Sequence, residues 1–160
     1  MSLLLTAETP EDLRLIAARI GSLCGGGEVV VLSGDLGAGK TTFTQGLALG
    51  LGITERVTSP TFVISRLHTH PSGGVSLVHV DAYRVGSAAE LDDLDLGADL
   101  SASVVVVEWG RGIAEDLSPE GLDIVITRSD SSEDERRTLM VSARGRRWTE
   151  LISDPSGWVS

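Results

Sequence analysis

The chain has 160 residues, 41% apolar but only 4% aromatic, which predicts one folding unit over 1–150 with an aliphatic core, followed by a flexible tail over 151–160. Its formal net charge of −10 opposes unaided binding to RNA or DNA, because such affinity rests on neutralising phosphates. A single cysteine, Cys24, excludes an internal disulfide and the usual zinc patterns; no 18-residue apolar run or basic N-terminal leader is present, so a cytoplasmic location is expected.

Thr9, Pro10, Glu11 and Asp12 form a helix start: an N-cap hydroxyl, a proline at the first helical position and acids that oppose the macrodipole. Leu13, Ile16, Ala17 and Ile20 then recur at helical spacing, which predicts one apolar face. Gly25, Gly26 and Gly27 stop this helix before a strand over 28–32.

The stretch Gly34, Asp35, Leu36, Gly37, Ala38, Gly39, Lys40, Thr41, Thr42 organises the rest. It follows a strand and precedes a helix over 40–49, and from Gly34 its spacing is G-x-x-x-x-G-K-T. Glycines let backbone N–H groups close around a phosphate, and the helix N-terminus adds partial positive charge. Lys40 is placed to reach the β and γ phosphates, and the Thr41 hydroxyl to ligate Mg²⁺. Lys40 is the only lysine among 13 basic residues, so a compact point charge stands at the one position where this loop chemistry requires it.

The helix is expected to bury Phe43, Leu47 and Ala48 and to end at Gly50 or Gly52. Thr58, Ser59, Pro60 and Thr61 lie where nucleotide switches put a hydroxyl that senses the γ-phosphate and Mg²⁺, although an ordinary turn has the same composition. A loop over 68–74 then joins two strands as a hairpin. The second strand carries His79, expected to be a hydrogen-bonded core residue, and ends at Asp81, whose carboxylate suits the Mg²⁺ side of a nucleotide site or a simple turn cap.

An acidic, leucine-spaced segment over 88–100 is predicted as a solvated surface element. Val104, Val105, Val106 and Val107 form the most strand-like run, continuous enough to be buried on both faces. They deliver Glu108 and Trp109 to the tip of a central strand, where a carboxylate can orient water and an indole can cover a site. Strands over 122–128 and 138–143 are predicted to form an antiparallel edge hairpin. Arg136, Arg137, Arg144, Arg146 and Arg147 then make a basic, solvated face, or one that meets phosphate or an acidic partner. The alternation of elements predicts an α/β, P-loop NTPase-like fold with a mainly parallel central sheet flanked by helices and with antiparallel edge strands.

The ordered set Gly34 to Thr42, Thr58-Ser59-Pro60-Thr61-Phe62, His79-Val80-Asp81-Ala82-Tyr83-Arg84, Glu90-Leu91 and Glu108-Trp109 resembles the TsaE (YjeE) family. The resemblance covers about 13–115. It implies an ATPase component of the bacterial machinery that makes N6-threonylcarbamoyladenosine at position 37 of tRNAs, with TsaB and TsaD as partners that carry the tRNA. Carried over by matching motif, residues Asp35 to Thr42, including Leu36, Gly37, Ala38 and Gly39, cradle ATP, while Lys40 and Thr41 hold phosphates and Mg²⁺. Thr61 becomes the switch threonine, Asp81 the Mg²⁺-side carboxylate, Glu108 the hydrolytic carboxylate beside the metal, and Trp109 its neighbour at the site and partner surface. Departures are Leu13 where a threonine near the adenine is common, Ala82 for a usual leucine, and Gly110 for a frequent proline.

Two other readings share the loop. A small-molecule kinase would pass the γ-phosphoryl group to a hydroxyl, but it needs an acceptor pocket and an arginine-bearing lid for which so short a chain shows no insertion. A regulatory GTPase of the common type would need an Asn-Lys-x-Asp pattern, which the lack of a second lysine excludes; a nucleotide-dependent switch that binds without hydrolysing stays open, and comparing Glu108→Ala with wild type for binding and turnover distinguishes it.

Overall fold

The computed structural model describes residues 2–58, 65–83, 87, 89–90, 100–131 and 133–159. Among these, seven strands make one sheet: β1 Ser2–Ala7, β2 Val29–Ser33, β3 Ser65–His68, β4 Ser76–Asp81, β5 Ser103–Glu108, β6 Gly121–Arg128 and β7 Arg137–Arg144. Their order is β1-β7-β6-β2-β5-β4-β3. The central β6, β2, β5 and β4 are parallel neighbours, while β3, β7 and β1 join antiparallel. The expected mainly parallel sheet with antiparallel edges is thus present. The β6–β7 hairpin, however, is not the edge: β1 pairs outside β7 with Leu5 opposite Leu139.

Three α-helices, α1 Pro10–Leu23, α2 Lys40–Leu51 and α3 Arg146–Ser153, and three single 3₁₀ turns complete the described elements. The start of α1 follows its sequence signature, since the Thr9 hydroxyl accepts the Asp12 N–H at 3.1 Å. Leu13, Ala17 and Ile20 of α1 and Phe43, Leu47 and Ala48 of α2 enter one core with Val30, Leu32, Val104, Val106 and Ile124. Gly21, Gly46 and Gly50 let α1 and α2 approach: a Cβ on Gly21 would stand 2.2 Å from the Leu47 carbonyl oxygen. The alternate residues Val29, Val31, Val78, Val80, Val105 and Val107 form a smaller core on the opposite face with Ala114. The valine run of β5 is therefore buried on both faces, as its lack of polar alternation requires.

The segment expected to be a loose tail is built in. Trp148 and Ile152 of α3 and Trp158 belong to the main core, and the Trp158 indole N–H donates to the Leu151 carbonyl at 3.0 Å. The arginines around it are mostly anchored rather than merely solvated. Arg144 donates to Asp123 at 3.0 Å and to the Ser118 carbonyl at 2.6 Å, and Arg147 pairs with Glu28 at 2.6 Å. The acidic leucine-spaced segment and Thr61 lie outside the described residues, apart from Ala89, Glu90 and Leu100.

Candidate functional site

The candidate site forms where β2, β4 and β5 end against the start of α2. Three glycines shape the loop between β2 and α2, with φ of 152° at Gly34, 79° at Gly37 and 113° at Gly39, values that L side chains rarely adopt. The Ala38 N–H closes the turn on the Asp35 carbonyl at 3.0 Å. α2 differs from α1 in its start: no side chain caps it and no acid occupies its first turn. Its first N–H groups and positive dipole end are left for an outside acceptor.

Lys40 is 6% exposed and its ammonium lies over the loop, donating to the carbonyls of Gly34 at 2.7 Å and Asp35 at 3.0 Å. Its Nζ also sits 4.1 Å from the centre of the Trp109 ring, a cation–π contact. Burial pulls the Lys40 pKa below the ordinary lysine value, while the carboxylates of Glu108, Asp35 and Asp81 act in the opposite direction. Those acids therefore converge electrostatically on Lys40. Thr41 and Thr42 follow it in the first turn of α2, both partly exposed, whereas Asp35, Leu36 and Gly37 form the exposed tip and Ala38 is buried.

Asp81 and Glu108 end neighbouring parallel strands in direct register. The sheet alternation puts both on the face of Leu77 and Val106, which α2 covers. The Asp81 carboxylate accepts the Tyr83 N–H at 3.0 Å. Glu108 is 4% exposed, and its Oε2 is hydrogen-bonded to Nε2 of the fully buried His79. The expected core histidine is thus in direct contact with the expected hydrolytic carboxylate. Trp109 takes a left-handed φ of 61°, its N–H bonded to the Leu32 carbonyl at 3.0 Å, and its ring meets Tyr83 edge-on at 5.2 Å.

A cavity of about 690 Å³ opens beside the loop, lined by Gly34, Asp35, Trp109, Arg111 and Arg128 among others. The sequence reading missed Arg128. It ends β6, parallel to β2, so the sheet carries it to the loop; a Cβ on Gly37 would stand 3.1 Å from its guanidinium. Arg137 also reaches the loop, donating to the Ala38 carbonyl at 2.9 Å. Neither approach has a sequence-spacing signal, because both depend on which strands become neighbours. The departure at Leu13 is a packing matter here: Leu13 is buried, and its Cδ2 lies 2.7 Å from where a Cβ on Gly39 would stand. Gly110 is similarly tight, its missing Cβ falling 2.7 Å from Val107 and 2.8 Å from Ala114.

A central parallel sheet, a glycine loop leading from β2 into α2, and flanking helices define a P-loop NTPase-like α/β fold. YdiB of Bacillus subtilis, a solved structure, superposes with a TM-score of 0.74 and 35% identity over 98% of this chain and 95% of its own. The family model described as Threonylcarbamoyl adenosine biosynthesis protein TsaE matches residues 7–138. The chain belongs to the TsaE family. Relatives named tRNA threonylcarbamoyladenosine biosynthesis protein TsaE include one from Streptomyces coelicolor, 49% identical over 85% of this chain and 93% of its own length. Another, from Bacillus subtilis, is 41% identical over 92% and 89% respectively.

Proposed function

We propose that this chain is the ATP-binding and ATP-hydrolysing subunit required to form N6-threonylcarbamoyladenosine at position 37 of tRNAs, acting with TsaB- and TsaD-type partners. One observation carries the chemical part: a buried lysine at an uncapped helix start, with Asp81 and Glu108 in register on the sheet face toward it. The names of the relatives support the tRNA-modification part.

In this reading the loop from Asp35 to Thr42 wraps the phosphates with backbone N–H groups, and Lys40 turns from its carbonyl partners toward them. Thr41 and Asp81 are the oxygen donors that would hold Mg²⁺, with Glu108 beside them. The described residues contain no group of three or more Asp, Glu, His or Cys side chains set to hold a metal. The Thr41 hydroxyl and the Asp81 carboxylate are hard oxygen donors of the kind Mg²⁺ takes, and that ion keeps waters and phosphate oxygens as its other ligands. When bound, the ion neutralises charge on the phosphates during transfer.

Glu108 has one oxygen committed to His79, which leaves Oε1 to orient the attacking water. Trp109 covers Lys40 and limits solvent access to the ammonium. Thr61 supplies the switch hydroxyl. No described helix is long and apolar enough to cross a membrane. The charge of −10 favours a partner complex that holds the tRNA. Exposed Leu36, at the tip of the loop, and exposed Tyr83, against the Trp109 ring, give that complex apolar side chains next to the site.

The test is nucleotide binding and phosphate release by wild type, Lys40→Ala and Glu108→Ala. Lys40→Ala is expected to abolish binding or turnover, and Glu108→Ala to keep binding but slow the chemical step. Near-normal turnover in both variants would overturn the site assignment.

A further inference from the structure

Arg137 is the first residue of β7 and is held there on both sides, opposite Ala7 of β1 and Arg128 of β6. Its backbone position is therefore fixed by the sheet, and its side chain reaches across to the glycine loop. Nε donates to the Ala38 carbonyl at 2.9 Å, a well-formed hydrogen bond, while contacts to Gly37 and Asp134 carbonyls at 3.5 Å are long. A further donor goes to the Arg136 carbonyl at 3.0 Å.

The Ala38 carbonyl shares a planar trans peptide with the Gly39 N–H, and in such a unit the two point in opposite directions. Fixing the carbonyl toward β7 fixes the N–H away from it. The loop needs this help at that peptide. The preceding N–H, of Ala38, is already spent on Asp35, and the Gly39 N–H donates to no acceptor among the described residues. Gly39, at φ 113°, has no Cβ to restrict its conformation, so without an anchor the peptide is free to rotate.

We propose that Arg137 is a positioning residue for nucleotide binding: its Nε–H holds the Ala38 carbonyl so that the Gly39 N–H is aimed into the phosphate cradle before ligand arrives. The inference rests on the reading of the loop as a phosphate site. It assigns Arg137 a hydrogen-bonding role at the loop, distinct from a long-range charge effect and from catalysis.

The chemistry suggests an unusually clean test, because the Nε2 of glutamine occupies the same place along the side chain as the Nε of arginine. Arg137→Gln keeps an N–H donor there and removes the charge; Arg137→Met removes both. Arg136→Met is the control, since Arg136 is an exposed neighbour whose side chain pairs with Glu8 at 3.0 Å and, among the described residues, makes no hydrogen bond or ion pair with the loop. Affinity for ADP and ATP is measured by calorimetry, kcat at saturating ATP by phosphate release, and folding by thermal melts without nucleotide.

The expected result is about tenfold weaker binding in Arg137→Met, binding within about threefold of wild type in Arg137→Gln and Arg136→Met, and kcat changed by less than about twofold throughout. Unchanged affinity in a folded Arg137→Met overturns the proposal, as does equal loss in Arg137→Gln, which would make the effect one of charge. A kcat loss at unchanged affinity overturns it too. Failure of wild type itself to bind either nucleotide would instead remove the proposed function, and this inference with it.

Discussion

Trp109 is the one described residue other than glycine with a positive φ, at 61°, and this makes it a sensitive probe of how the site is assembled. Trp109→Ala keeps the left-handed backbone cost and deletes the ring. What is lost is the cation–π contact to Lys40, about 0.5–2 kcal/mol, and the edge contact to Tyr83, about 0.5–1.5 kcal/mol. Trp109→Gly deletes the same contacts but removes a backbone cost of about 1–2 kcal/mol. The greater freedom of glycine in the unfolded chain returns about 0.4–1 kcal/mol of that gain. Glycine should therefore be more stable than alanine here by about 0.5–1 kcal/mol, or roughly 1–4 °C in Tm for a chain of this size. At an ordinary strand or helix position the order is the reverse. Urea denaturation followed by far-UV circular dichroism decides it, since Trp148 and Trp158 complicate fluorescence. An alanine variant as stable as glycine, or more so, would refute the strained geometry at the tip of β5.

Three other expectations follow from separate parts of the molecule. His68 is fully buried, and burial holds its pKa below the ordinary value against the opposing pull of Glu55. A base with a depressed native pKa leaves the unfolded chain binding more protons, so stability falls as pH drops below about 6.5 and levels off under the native pKa; urea midpoints should show this, and His68→Leu should flatten that limb. Gly34→Ala places a Cβ 2.5 Å from the Ile126 carbonyl oxygen, a backbone atom that cannot swing aside, and overpacking alone should cost about 1–3 kcal/mol in a thermal melt; wild-type stability would show that the loop entrance has room for the methyl group. Cys24 has its thiol pKa raised well above the ordinary range, first by burial and then by Glu28, with Arg147 opposing. Its reaction with a disulfide reagent at pH 8 should be at least about tenfold slower in the native protein than in urea.

Features set by local sequence were legible before the fold was known. Thr9 and Pro10 begin α1, glycines bound α2, and the valine run of β5 has no polar face to expose, so short-range chemistry determines each. That the loop, Lys40, Asp81 and Glu108 lie together was legible because strand ends in a parallel sheet converge on one edge, as the register of Asp81 with Glu108 shows. β1 was not, because Ser2–Ala7 is stabilised by β7, whose residues lie more than 100 positions away. α3 carries a usable signal in Trp148, Leu151 and Ile152 at helical spacing, but the surrounding arginines and the terminal position masked it. Arg128 and Arg137 reach the loop only through strand order, which no local pattern encodes. The contact of His79 with Glu108 is a diagonal pair across β4 and β5, visible only once their register is known.

The most direct test of the central claim is multi-turnover formation of threonylcarbamoyladenosine on tRNA by TsaB- and TsaD-type partners, with phosphate release followed in the same reactions. Wild type, Lys40→Ala and Glu108→Ala are compared with ATP and with a non-hydrolysable analogue. Product beyond one equivalent of partner complex is expected only with wild type and hydrolysable ATP. Equal product without this chain, or with Lys40→Ala, would contradict that claim.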